Sequence, residues 1–134
     1  MSAKASEIAR RLVVLNAKAD RILSAWQAAN QHGVAADRVS ASMEVLNIAN
    51  GLTEYAISNS AREHIGNRLQ VHAELRIRWL AARLACDKNA MRLVLLATWH
   101  DTGFDPDSHY ADDMAEELFG HIMANLRSIS EEEE

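Results

Sequence analysis

The residues best suited to chemistry stand at the end of an apolar run. His100 and Asp101 directly follow the run Met91–Trp99 and lead into the turn-like pair Thr102 and Gly103. Divalent transition metals accept both an imidazole and a carboxylate as ligands. Because so apolar a run belongs in a core, we expect the pair to lie at the core's edge, where it could hold a metal ion.

A second histidine is predicted on the apolar face of the preceding helix. His72 shares this face with Leu69 and Leu75, at helical spacing. A lone inward histidine is more often a core residue that bonds to its neighbours than a metal ligand. With His100 and Asp101 it nevertheless completes a candidate metal site of three ligands, which would satisfy the buried polar groups of two adjacent helices.

The segment from His72 onward resembles the core of the HD-domain metal-dependent phosphohydrolases. In that family a first histidine starts an Ala/Leu-rich helix, and a buried apolar helix follows that ends in His-Asp. His72 matches the first histidine, and His100 with Asp101 matches the doublet. His109 resembles a histidine that some members carry at the start of the next helix. The resemblance extends to Leu126.

The family's ligand set also includes an aspartate on a later helix, which has no match in this chain. Asp112 and Asp113 are the only later aspartates in a predicted helix, and both come too early. The resemblance therefore covers part of the family's pattern, and it leaves open whether such a site is active.

The resemblance implies a hydrolase of a phosphate ester or nucleotide that uses a divalent metal ion. An ion on the three ligands would lower the pKa of a bound water and polarise a phosphoryl oxygen. Arg68 and Arg76 lie one turn before and one turn after His72, and either could clamp a phosphate. Taken singly, each arginine is more often part of a solvated helix face. His109 would act as a proton donor or a further ligand.

The segments that carry these residues are predicted to be helices. The 134 residues contain one proline and five glycines, and 49% of them are apolar. This composition predicts an all-α fold, a compact bundle of about five helices. We predict a single helical domain over residues 1–130 and a disordered acidic tail over residues 131–134.

Apolar spacing and capping residues predict the helix bounds. The predicted ranges are Ala3–Gln31, Asp37–Ser58, Ala61–Cys86 and Lys88–Trp99, with a fifth helix that starts at Asp107 or Ser108. The fourth helix is apolar almost all round and is therefore expected to be the most buried.

Two helices have a well-defined predicted inner face. The first carries a heptad seam, Ile8, Leu12, Leu15, Ala19, Ile22 and Trp26. Packing of this seam within the chain is favoured over a homodimer. The inner face of the fifth helix is predicted as Ala111, Met114, Leu118, Ile122 and Leu126.

Charge and cysteine content restrict the partners and the compartment. The net charge is −5, and residues 101–134 hold eleven acids against one base. This acidity argues against nucleic-acid partners. Cys86 is the single cysteine, which suits a reducing cytoplasm. No apolar stretch approaches the roughly 20 residues that span a bilayer, so no membrane association is expected.

The sequence leaves a second interpretation open beside the hydrolase. A non-catalytic helical bundle could act as an adaptor, inhibitor or regulator by binding a protein, and a homodimer is one form of this. His72 and His100 would then be core residues, and Asp101 would end a helix. The partner is thus either a small phosphorylated substrate or a protein.

Overall fold

The computed structural model describes residues 5–33, 37–58, 67–102 and 110–131, and within them it leaves out the side chains of residues 5, 53–58, 67–69 and 98–102. The described helices are α1 (Ala5–Gln31), α2 (Arg38–Ser58), α3 (Asn67–Leu84), α4 (Lys88–Thr102) and α5 (Ala111–Ser130). For the described residues, the prediction of a compact all-α fold of about five helices is confirmed.

Helices α1, α2, α3 and α5 form a bundle, and α4 packs against α3. Ser42, near the start of α2, donates a hydrogen bond of 2.8 Å to the carbonyl of Ala81, near the end of α3. Arg10, near the start of α1, contacts the carbonyl of Ser130, at the end of α5. These pairs show that α2 runs antiparallel to α3, and α1 antiparallel to α5.

The heptad seam of α1 packs inside the chain, as predicted. Ile8, Leu12 and Ala19 are buried, and the other seam residues lie partly buried against the same core. The seam is therefore used within the bundle and is not available as a surface for a second copy.

Among the described side chains, the fourth helix is not the most buried, contrary to the prediction. In α4, Val94 and Leu95 are the only described side chains that are buried, and Leu93 is exposed. Helix α3 is the central element, because it contacts α1, α2, α4 and α5. Its buried side chains are Gln70, His72, Ala73, Ile77, Trp79, Leu80, Ala81, Ala82 and Leu84. Apolar composition indicates that a helix can be buried, but the number of helices that pack against it decides how much of its surface is buried.

The inner face of α5 is confirmed at Ala111, Ile122 and Leu126, which are buried. Met114 is exposed and Leu118 is only partly buried, whereas Ala115, Phe119 and Met123 are also buried. Helix α5 contacts both α1 and α3, so its buried surface is centred between them and is wider than one heptad seam.

Some predicted bounds lie outside the described residues. These are the start of the first helix at residues 3–4, the start of the third at residues 61–66, the start of the fifth at Asp107 or Ser108, and residues 132–134 of the predicted tail. Helix α5 ends at Ser130, and Glu131 donates its backbone N–H to the carbonyl of Arg127 at 3.1 Å.

The predicted C-terminal end of α1 and the predicted starts of α2 and α4 are confirmed. Gly33 has a φ of +72°, a left-handed conformation that ends α1 without strain. Asp37 accepts a hydrogen bond from the hydroxyl of Ser40 at 2.9 Å, and the backbone N–H of Ser40 also donates to it. These bonds lower the pKa of Asp37, so this cap is lost as the pH falls through that lowered pKa. Asp87 accepts the N–H of Ala90 at 3.0 Å.

Helix α3 ends at Leu84, two residues before its predicted end. The N–H of Asp87 donates to the carbonyl of Ala82 at 3.0 Å, and the N–H of Cys86 donates to that of Arg83 at 3.1 Å. This is the Schellman pattern, which requires a left-handed residue at the position of Cys86. Cys86 has a φ of +52°, where glycine is the usual residue.

Replacing Cys86 by glycine should therefore stabilise the protein. Relief of the left-handed Cβ is expected to raise the free energy of unfolding by about 1 kcal/mol. Urea unfolding checks this, with Cys86→Ala as the matched control, since alanine removes the thiol and keeps the strained Cβ. An equal gain in both variants would show that the thiol, and not the backbone, is the cause.

Candidate functional site

The structure places the three predicted metal ligands on α3 and α4. His72 is buried in α3, with 4% of its surface exposed. Helix α4 continues through His100 and Asp101 to Thr102, so the pair lies within the last helical turn and does not follow it. The side chains of His100 and Asp101 lie outside the described residues, and their convergence on His72 stays a prediction. Among the described side chains, no three His, Cys, Asp or Glu residues are grouped as a metal site would require.

The predicted phosphate-binding residues have different surroundings. Arg76 is partly buried between α3 and α1, where its guanidinium donates to Asn16 Oδ1 at 3.0 Å and to Asp20 Oδ1 at 2.8 Å. The side chain of Arg68 lies outside the described residues, as does the whole of His109. The described contacts of Arg76 are thus with α1.

Asn16 is the centre of a buried polar cluster between α1 and α3. Its side chain is fully buried, and its amide donates to the carbonyls of Leu12 at 2.9 Å and Ala73 at 3.4 Å. With Arg76 as donor to its oxygen, Asn16 uses both ends of its amide. These hydrogen bonds fix the register of α3 along α1.

Arg76 and its partner Asp20 also line a cleft between α1, α3 and α5, which we call the arginine cleft. Its volume is about 330 Å³. Three arginines line it, Arg76, Arg83 and Arg127, against two acids, Asp20 and Glu116. Its remaining lining is apolar or small: Leu23, Trp79, Leu80, Phe119, Gly120 and Met123. The cleft is therefore a small concavity of mixed polar and apolar lining with an excess of positive charge, in a protein of net charge −5.

The side chains of the arginine cleft differ in how fully they are partnered. Arg83 stacks 4.7 Å from the centre of the Trp79 ring and lies 3.6 Å from a carboxylate oxygen of Glu116. Arg127 is exposed, and among the described residues its guanidinium has no protein acceptor. Trp79 is 3% exposed, and its indole N–H is buried without an acceptor within the described part of the chain. Arg127 is thus the cleft arginine whose charge the described residues leave unpaired.

A second candidate surface lies on the outer face of α2. Val39, Met43 and Leu46 are 63%, 59% and 38% exposed. Their spacings of four and three residues place them in one line along the helix, which we call the α2 stripe. The opposite face of α2 packs into the core through Val45 and Leu52. Helix α2 is thus apolar on two faces, and the described residues cover one of them.

A wider groove of about 550 Å³ runs between α1 and α2. Its lining includes two basic residues on α1, Lys18 and Arg21, and two acidic residues, Asp37 just before α2 and Glu44 on α2. Because the two signs balance, the groove does not select a charged ligand by its field. For a charged ligand the groove is therefore a weaker candidate than the arginine cleft.

The α2 stripe and the buried cluster around Asn16 could be recognised from residue spacing in the sequence. The α2 stripe follows a heptad-like spacing, and Asn16 lies four residues after Leu12 and three before Ala19, on an apolar face. Polar residues on such a face indicate a buried cluster. The arginine cleft is harder to recognise from the sequence, because its three arginines come from two helices and only the fold brings them together.

Comparison with profiles of known protein families gave no match, and neither a curated protein nor a solved structure was found to be similar to the chain. In the part of the chain that the structure describes, no helix combines the length and apolar character needed to cross a bilayer.

Proposed function

We propose that the chain is a non-catalytic helical bundle that acts through protein–protein interaction, and that the α2 stripe is its contact surface. The observation that carries this is the line of exposed large side chains, Val39, Met43 and Leu46. Single exposed apolar residues are normal, but a contiguous line of them on one helix is typical of an interaction surface. The spacing suits helix-against-helix packing.

The proposed occupant of the α2 stripe is a second copy of the chain. Charge distribution supports this choice, because two copies of net charge −5 repel each other unless they meet at a neutral surface. From Val39 to Asn50 only Glu44 is charged. Helix α5, in contrast, begins with a cluster of acids that includes Asp112 and Asp113. A two-fold pairing of α2 with α2 places the same apolar line on both sides of the contact.

A glutamate in the middle of the α2 stripe should abolish the dimer. Met43→Glu would bury an unpaired carboxylate in the contact, which is expected to raise the dimer dissociation constant at least about 100-fold, or about 2.7 kcal/mol. Sedimentation equilibrium of the wild-type chain and the variant measures this change. Because Met43 is exposed in the bundle, the fold should be unaffected.

Val14→Glu is the matched control, since Val14 is 59% exposed, as Met43 is, but lies on α1. This variant should dimerise like the wild type. A wild-type chain that remains monomeric at roughly 100 μM, where a contact with a micromolar constant would be saturated, would overturn the proposal. Equal loss of the dimer in both variants would show that the dimer contact is not at the α2 stripe.

The proposal includes a reducing cytoplasm as the compartment. Cys86 is exposed and free. Thiols of this kind stay reduced where glutathione and thioredoxin act, whereas secreted domains of this size often carry disulfides.

A second candidate function is the HD-like metal-dependent hydrolase of a phosphate ester or nucleotide. Two observations favour it: His72 is buried on α3, and α4 packs against α3 and is helical through His100 and Asp101. Two imidazoles and a carboxylate form a donor set that suits a divalent transition metal. In this proposal the bound ion would activate a water for attack on phosphorus, and His109 would supply a proton.

Metal content decides the hydrolase proposal. Protein purified without chelator should hold about one equivalent of a divalent metal, and His100→Ala should remove it, because ligand loss lowers affinity steeply. Leu93→Ala, an exposed change on the same helix, should retain the metal. Less than about a tenth of an equivalent in the wild type after incubation with Mn²⁺, Fe²⁺ or Zn²⁺ would contradict this proposal.

A further inference from the structure

We infer that the arginine cleft binds a small organic anion, one that carries a carboxylate or a phosphate on a flat apolar body. This inference is independent of the α2 stripe, because no residue of α2 lines the cleft. It rests on the shape of the cleft, on its charge and on the donors that its described neighbours leave over.

The size of the cleft sets the size of the ligand. Sites for small molecules measure roughly 300–1,000 Å³, and the arginine cleft, at about 330 Å³, is at the lower end of that range. This volume suits one aromatic ring with one anionic group. Gly120 lines the cleft, and a Cβ built there meets nothing within 4 Å, so the α5 wall is open at this position.

The lining determines how such a ligand would be oriented. Trp79 and Phe119 pack with ring centres 5.4 Å apart and, both being buried, form the floor of the cleft, on which the edge of a ligand ring could rest. Arg83 and Arg127 reach the cleft from α3 and α5, where they can converge on one oxyanion. The apolar part would thus rest on the aromatic pair, and the anion would face the arginines.

Two exposed guanidiniums in the cleft are available to an oxyanion. Arg127 is exposed, and among the described residues its guanidinium has no protein acceptor. The acidic partner of Arg83 is Glu116, which is more than half exposed and lies 3.6 Å away, so it is too weakly held to neutralise the site. An anion that bound here would accept from both arginines at once.

Titration followed by NMR tests this inference on the full chain. The indole N–H resonance of Trp79, assigned by its loss in Trp79→Phe, is followed as phenyl phosphate, benzoate or inorganic phosphate is added. A saturable shift with a dissociation constant of about 1 mM or below is expected for at least one of the two organic anions. The organic anion with the lower dissociation constant shows whether the cleft prefers a carboxylate or a phosphate. Inorganic phosphate should bind at least about tenfold more weakly, because it lacks the apolar body.

Arg127→Gln and Arg83→Gln should each weaken the binding of that anion at least about tenfold, since each removes a charged donor. Both side chains are exposed enough that the fold should be retained, which the dispersion of the same spectra checks. Arg21→Gln, an exposed arginine of α1 outside the cleft, is the matched control and should bind as the wild type does. Absence of a saturable shift with both organic anions, or equal affinity in the double variant of Arg83 and Arg127, would overturn the inference.

Discussion

Replacing Phe119 by alanine should lower the free energy of unfolding by about 3–5 kcal/mol, the largest effect expected of a single substitution in this chain. Phe119 is buried on α5 and packs 5.4 Å from the Trp79 ring at an interplanar angle of 45°. Its loss removes apolar burial, leaves a void between α3 and α5, and ends the aromatic contact. Chemical denaturation followed by far-ultraviolet circular dichroism measures the change.

Leu118→Ala is the control for the Phe119 prediction. Leu118 is the preceding residue of α5 and lies only partly buried, so its truncation should cost clearly less. If the two variants lost the same stability, the contact of α5 with α3 would not be the one that holds α5 in the bundle.

The second large effect is expected at Arg76. Arg76→Met keeps most of the side-chain volume but leaves the fully buried Asn16 oxygen without its 3.0 Å donor. A buried acceptor without a partner costs about 1–3 kcal/mol, and the loss of the ion pair with Asp20 adds up to about 1 kcal/mol. We therefore expect the free energy of unfolding to fall by about 2–3 kcal/mol, measured by urea denaturation.

Comparison of Arg76→Met with Asp20→Asn separates the two contributions. Asp20 is partly exposed at 43% of its side chain, so solvent screens its 2.8 Å ion pair with Arg76. Asp20→Asn should thus cost less than about 1 kcal/mol. A loss in Asp20→Asn as large as that in Arg76→Met would show that the ion pair, and not the hydrogen bond to Asn16, stabilises the contact of α1 with α3.

Much of the fold could be predicted from local physical chemistry. The seam of α1 and the caps at Gly33, Asp37 and Asp87 depend on residues close together in the chain, and all of them are confirmed. The depth of burial was less predictable. Helix α4 was expected to be the most buried because it is so apolar, yet α3 is central because four helices contact it. The number of neighbours is a property of the whole fold, which periodicity within one helix does not contain.

The candidate sites were harder to predict, because side chains from distant segments form them. Arg76 was predicted to clamp a phosphate, whereas its described partners are Asn16 and Asp20, more than fifty residues earlier in the chain. The sequence does not indicate a role for Arg83 or Arg127, because nothing local distinguishes them from solvated arginines. The α2 stripe had the spacing of a core face, and only the fold shows that it is exposed.

The two proposed surfaces lie on different helices and leave each other accessible. The α2 stripe belongs to α2, whereas the arginine cleft is lined by residues of α1, α3 and α5. A dimer formed through α2 would therefore present two arginine clefts, one in each copy. Loss of the dimer in Met43→Glu should accordingly leave anion binding unchanged, so failure of one proposal does not imply failure of the other.

The most direct test of the proposed interaction is cross-linking across the α2 stripe. In a Cys86→Ala background, which removes the native thiol, Met43→Cys places a single cysteine at the centre of the stripe. If two copies meet there, a short bifunctional maleimide should convert most of the protein at micromolar concentration into a covalent dimer. Val14→Cys, equally exposed on α1, should remain monomeric. A Met43→Cys chain that stays monomeric, or cross-links no better than Val14→Cys, would contradict the account.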